Sequence, residues 1–154
     1  MRARLLLAMG VSFLMAAPVV AEDKEKDKGK DKFDATKLVG TWNYVSGENN
    51  GTKVDPDSLK KGTVTITKDT ITLQSELGKF VIKYTVDAKK SPVQLSMEIT
   101  EGVEGSKGAK AIGIIELKGD QLKLCYPAMG GKAPKEFAAK KDSGLHYFVL
   151  KKKK

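Results

Sequence analysis

The chain has 154 residues, which is the length of one domain, and its formal net charge is +9. Its two arginines, Arg2 and Arg4, both lie near the N-terminus, and every other basic residue is a lysine. Because arginine makes most bidentate contacts to bases and phosphates, this composition argues against a sequence-specific nucleic-acid-binding protein. A weaker, salt-sensitive attraction to anionic surfaces remains open.

Residues 1–21 have the three parts of a secretory signal. Two arginines precede an apolar run at residues 5–17, and small residues lead to Glu22. The run is about 13 residues long, within the range of signal sequences and short of the roughly 20 residues that span a bilayer. We predict cleavage after Ala21, export to the periplasm, the cell envelope or the medium, and no transmembrane segment in the mature chain. The alternative is a retained N-terminal anchor.

Residues 22–32 alternate acidic residues with lysines and contain no apolar residue. Such a segment cannot bury enough surface to offset the entropy of ordering it. We therefore predict a disordered tether at residues 22–32 and a folded domain at residues 33–154, ending in a lysine tail. Near the start of this domain, Asp34 is expected to cap a short helical turn ahead of Leu38.

From Gly40 onwards, about eight short segments alternate apolar and polar residues, the pattern of half-buried strands. They are centred on Trp42 and Tyr44, Val64 and Ile66, Ile71 and Leu73, and residues 80–86, 95–99, 109–117, 122–126 and 145–151. Residues 53–61 are expected to form a loop. Short turns between successive strands predict an all-β fold, an antiparallel up-and-down barrel of about eight strands, with an open sandwich as the alternative.

The strand at residues 109–117 carries two separate expectations. Ile112, Ile114 and Ile115 leave its inward face undecided. Gly113, in the middle of the strand, is expected to mark a bend.

The aromatic residues are the best candidates for a binding site. Five of them fall at alternating strand positions that would point into one barrel: Trp42, Tyr44, Phe80, Tyr84 and Tyr126. They either pack the core or line a cavity in which phenol groups would orient a small ligand.

The chain offers little for catalysis or metal binding. A metal centre requires three or four ligands, whereas the only cysteine and histidine are Cys125 and His146, so we predict no metal and no cofactor. Cys125 is expected to be a small buried hydrophobe, although a dyad with His146 is conceivable. Ser58 and Lys61 match Ser-x-x-Lys, but they lie in a predicted loop without companion motifs. We therefore do not expect an enzyme.

Several short motifs together resemble one family. Gly40-Thr41-Trp42 resembles the Gly-x-Trp entry to a lipocalin-type barrel. Taken with Ser91-Pro92, Glu101-Gly102, the run at residues 113–125 and Pro134-Lys135-Glu136-Phe137, it makes the chain similar to a small exported lipocalin-like domain of planctomycete bacteria. The resemblance covers residues 38–151 and implies a lipocalin-like barrel, export and a family of undefined biochemical function. The chain departs from the family at Ile115 and Ala133, where relatives carry Tyr and Arg.

These observations lead to two functional hypotheses. The first is an exported non-enzymatic protein that binds a small, partly apolar ligand inside its barrel. The second is a ligand-free envelope interaction module that contacts an anionic polymer or a protein partner through its basic surface. A packed barrel interior would favour the second hypothesis over the first.

Overall fold

The structure is a computed structural model that describes residues 32–128 and 130–154. The predicted signal segment at residues 1–21 and the predicted tether, apart from Lys32, lie outside these residues. The elements are a 3-10 helix at Ala35–Leu38, β1 at Gly40–Asn49, β2 at Thr52–Lys53, α1 at Pro56–Lys60, β3 at Thr63–Ile66, β4 at Thr70–Ser75, β5 at Gly78–Asp87, β6 at Val93–Glu101, β7 at Lys110–Lys118, β8 at Gln121–Pro127 and β9 at Leu145–Lys152. Neither helix within the described ranges has the length and apolar character needed to span a membrane.

Eight of the strands form a closed antiparallel barrel. β1 pairs with β3, each following strand pairs with the next, and β9 returns to pair with β1. At the closure, Trp42 of β1 lies opposite Val64 on one side and Lys152 on the other. The short β2 pairs only with the last two residues of β1. The predicted eight-stranded up-and-down barrel is confirmed, and its closure excludes the open sandwich.

A β-bulge in β1 adjusts which side chains face inward. Tyr44 pairs with Leu150 and Ser46 with Val149, so Val45 is the extra residue, and it is exposed. Trp42 and Tyr44, which precede the bulge, share the inner face as predicted, and the inward alternation resumes after it at the buried Gly47. Bulges of this kind increase the local twist that a barrel requires.

Aliphatic side chains fill the middle of the barrel. The most deeply buried members of this core, each at most 2% exposed, are Leu38, Trp42, Val64, Leu95, Leu122 and Leu150. A void of about 10 Å³ lies among nine aliphatic residues of this core. It has room for about one water molecule at most.

Strand β7 resolves the ambiguity of its isoleucines. Ile115 belongs to the barrel core, whereas Ile112 points outward and is 41% exposed. Ile114 also points outward, because its neighbours Ile115 and Gly113 face the core, yet it is fully buried. Gly113 itself permits a close approach of β8, since a Cβ atom there would lie 2.8 Å from the Cys125 carbonyl oxygen.

The loop between β8 and β9 covers Cys125 from outside, and Ile114, which pairs with Cys125 on the same face, is buried beside it. We call residues 130–144 the strap. Cys125 lies under it with Sγ 3.7 Å from the Ala138 carbonyl oxygen, and both Cys125 and Ala139 are buried. The strap is attached to β7 by a hydrogen bond from the Gly130 amide to the Lys110 carbonyl. The prediction that Cys125 is a buried residue is confirmed.

The prediction of a plain loop at residues 53–61 is wrong. This segment contains the end of β2 and the helix α1, because Asp55 accepts a hydrogen bond from the Ser58 amide and Pro56 occupies the first turn. Proline at that position has no amide hydrogen to leave unsatisfied. Leu59 of α1 is buried at the edge of the barrel, where a Cβ atom at Gly47 would contact it.

Candidate functional site

The barrel has two ends that differ in chemistry. At the first, which we call the Trp42 end, β1 begins and the 3-10 helix lies across the opening. The Trp42 side chain is fully buried and donates from Nε1 to the Leu38 carbonyl oxygen at 2.8 Å. Lys152 Nζ lies 5.4 Å from the centre of the indole ring and donates to the Lys37 carbonyl oxygen at 2.9 Å. These contacts close this end.

Tyr84 also helps to hold the Trp42 end together. Its hydroxyl donates to the Thr67 carbonyl oxygen at 2.7 Å, which ties β5 to the turn between β3 and β4. Burial, together with the nearby Asp69 carboxylate, raises the pKa of the phenol. The hydroxyl therefore stays protonated and holds the turn in place.

The opposite end, which we call the α1 end, carries an aromatic cluster. Its members are Tyr44, Tyr126, His146 and Phe148. The rings of Tyr44 and Phe148 meet edge to face with centroids 5.3 Å apart, and the rings of Tyr126 and His146 are 5.2 Å apart. Such pairs add to stability beyond the area they bury.

The cluster is uncharged near neutral pH. Burial raises the pKa of Tyr44 to about 12 and that of Tyr126 further still. Burial lowers the pKa of His146, whose Nδ1 donates to Asn49 Oδ1 at 2.6 Å across the β1–β9 closure. The imidazole is therefore held neutral, with its proton on Nδ1.

The five predicted lining residues do not meet at one cavity. Trp42 and Tyr84 lie at the Trp42 end, while Tyr44 and Tyr126 lie in the aromatic cluster. Phe80 is half-buried beside Gly102, where the loop between β6 and β7 begins. The residues that line the central void are all aliphatic: Leu38, Val64, Ile66, Ile71, Leu95, Ile115, Leu122, Leu124 and Leu150.

Neither of the candidate catalytic pairs is formed. Cys125 pairs with Tyr147, and Tyr126 pairs with His146, so Cys125 and His146 lie on opposite faces of the sheet. Ser58 Oγ donates to Asp55 Oδ2 at 3.4 Å, and Lys61 Nζ is 2.7 Å from Glu76 Oε1 instead of near the serine. Within residues 32–128 and 130–154, no three His, Cys, Asp or Glu side chains converge as metal ligands would.

A wider concavity of about 550 Å³ lies on the outside of the barrel. The exposed side chains of Lys83, Thr85, Ser96, Glu98, Lys110 and Ile112 line it along β5, β6 and β7. Gly130 and Gly131 of the strap form one edge. Lys110 Nζ lies 3.7 Å from Glu98 Oε2, so the charges of these two lining residues offset each other.

Positive charge is concentrated at the Trp42 end. Residues 34–40, 67–70, 87–92, 118–121 and 151–154 form this end, and they contain nine lysines but only four acidic residues. We call these nine residues the lysine ring: Lys37, Lys68, Lys89, Lys90, Lys118, Lys151, Lys152, Lys153 and Lys154. At the α1 end, residues 48–63, 75–79, 100–110 and 127–145 contain ten lysines and eight acidic residues. The charge is therefore strongly asymmetric along the barrel axis.

This asymmetry was missed from the sequence because only the net charge of the whole chain was considered. The sequence nevertheless contains the information needed to find the asymmetry. In an up-and-down barrel every second turn returns to the same end, so summing charge over alternate turns separates the two ends.

Comparison with protein-family models, with curated proteins and with solved structures gives no match to this chain. The similarity to the exported lipocalin-like family therefore stays a prediction.

Proposed function

We propose that this protein is an exported, non-enzymatic, lipocalin-like interaction module that contacts an anionic component of the cell envelope through its basic outer surface. The observation that carries this proposal is the filled interior. Ligand pockets typically measure about 300–1,000 Å³. The void in the core is about 10 Å³, so binding of a small molecule there would require displacement of core side chains.

The excess of lysine at the Trp42 end indicates how the protein would contact an anionic component. Lysine is a strongly hydrated point charge and forms few of the stereospecific contacts that arginine makes. A cluster of lysines on one end of a barrel therefore favours long-range, weakly selective attraction to negative charge. Such attraction weakens as salt shortens the screening length.

Ligand binding is the second candidate function, and the aromatic cluster supports it. The hydroxyls of Tyr44 and Tyr126 make no hydrogen bond to another residue in the described part of the chain. A partly apolar ligand that displaced Leu59 of α1 would meet these phenols and the His146 imidazole. The site would then be at the α1 end instead of at the centre of the barrel.

Two measurements separate these functions. Native mass spectrometry of the mature protein, isolated from its own envelope fraction, is expected to give the mass of the bare chain. Retention on an immobilised polyanion is expected at about 50 mM NaCl and should be lost by about 500 mM, where screening is nearly complete. A stable excess mass, or no retention at low salt, would overturn the proposed function.

A further inference from the structure

We infer that the lysine ring is the contact face of this protein and that its partner is the surface of an anionic lipid bilayer. This inference rests on the proposed function, because it assumes that the basic surface acts by binding negative charge. It adds which end of the barrel makes the contact and what kind of surface it meets.

The shape of the Trp42 end suits a flat partner. Five chain segments contribute to it, and they surround the opening that Trp42 and the 3-10 helix fill. Strands spaced about 4.8 Å apart and tilted by about 40° make an eight-stranded barrel roughly 16 Å wide. The lysine ring therefore spreads over a broad, blunt end, so many of its ammonium groups can reach one plane together.

Several members of the ring are available for such a contact. Lys68, Lys89 and Lys90 are exposed turn residues that form no ion pair with any described residue. Only two members of the ring form ion pairs with described acidic residues, Lys118 with Glu116 and Lys151 with Asp120. The ring thus keeps most of its positive charge exposed.

A bilayer fits this face better than a single acidic polymer chain. A polymer follows a groove or a stripe, whereas these lysines encircle a closed end. The side chain of Val39 lies within the ring and is 45% exposed, which gives one apolar group for the interface between headgroups and acyl chains. Each lysine near an anionic membrane contributes about 1 kcal/mol to binding.

The test compares two variants of equal charge. The ring variant carries Lys68→Gln, Lys89→Gln and Lys90→Gln. The control carries Lys53→Gln, Lys79→Gln and Lys107→Gln, three exposed lysines of the α1 end. Both retain the mature chain, and circular dichroism with thermal unfolding checks that both remain folded.

Binding is measured by sedimentation with phosphatidylcholine vesicles that contain or lack phosphatidylglycerol. The unaltered protein should bind only the anionic vesicles. The ring variant should bind them roughly 100-fold more weakly, which corresponds to three lysines at about 1 kcal/mol each. The control should stay within a few-fold of the unaltered protein.

The remaining outcomes separate the inference from the function on which it rests. Equal weakening in both variants would overturn the lysine ring as the contact face and leave the basic-surface function standing. Retention on the polyanion without vesicle binding would overturn the bilayer as partner. Failure to bind either material would overturn both proposals.

Discussion

Replacing Leu150 by alanine tests whether the barrel interior is filled. Leu150 is 1% exposed and borders the central void. The substitution removes three carbon atoms, which costs about 2.4 kcal/mol at about 0.8 kcal/mol per methylene. Every 40 Å³ of new cavity that fails to collapse costs about 1 kcal/mol more. We expect the free energy of unfolding to fall by about 3–4 kcal/mol.

Urea denaturation followed by tryptophan fluorescence measures this change, because Trp42 is the only tryptophan and is fully buried. Leu77→Ala is the matched control, since Leu77 is 83% exposed and its loss should change stability by less than about 0.5 kcal/mol. A loss below about 1 kcal/mol for Leu150→Ala would refute the reasoning. It would mean that Leu150 borders space that is already open, and the ligand hypothesis would regain its central cavity.

Three further predictions follow from particular contacts. Gly113→Ala should destabilise the protein by about 1–3 kcal/mol, because the added Cβ would lie 2.8 Å from the Cys125 carbonyl oxygen; an unchanged urea midpoint would contradict this. His146 has a pKa below its ordinary 6.5 because it is buried, so the unfolded chain binds its proton first and stability falls as pH drops below about 6.5. The wild type should therefore lose more stability than His146→Gln between about pH 7.5 and about pH 5, and parallel losses would refute a buried neutral histidine. The Cys125 thiol, covered by the strap and with its pKa raised by burial, should react with a disulfide reagent only as fast as the protein opens. Prompt reaction in native buffer, at the rate seen in denaturant, would show that the strap leaves the thiol accessible.

The local alternation of apolar and polar residues predicted the strands correctly, but local sequence did not predict all the segments between them. The alternation at Leu95, Met97 and Ile99 describes one buried face, and that face is the one the barrel uses. The segment at residues 53–61 was expected to be a loop because of Pro56 and its charges. The structure places a capped helix there, since the Asp55 side chain satisfies the Ser58 amide.

The strap explains why β7 could not be assigned from its sequence. Ile114 points away from the barrel, where a strand residue is normally polar, and it is buried beside Cys125, which the strap covers. A two-residue period of apolar residues describes a sheet with one buried face. It carries no information about a distant loop that buries part of the other face.

The aromatic residues of the candidate site were also predicted only in part from local sequence. Four of the five aromatic residues belong to the barrel core or pack against it, yet Trp42 and Tyr84 lie at one end of the barrel and Tyr44 and Tyr126 at the other. The partners that complete the aromatic cluster, Asn49, His146 and Phe148, are supplied by the closure of β1 against β9. Residues 97 positions apart cannot be matched by local spacing.

The sequence by itself determined the strands, the inward face of each strand except β7, the antiparallel order and the absence of arginine from the chain beyond Arg4. These properties depend on near neighbours along the chain, where side-chain alternation and turn residues act directly. Only the tertiary structure decided whether the barrel is full or hollow, that the strap covers Cys125, and that the aromatic cluster forms where β9 meets β1. Those properties depend on the volume inside the barrel and on contacts between segments that are distant in sequence. Both exist only once the last strand pairs with the first.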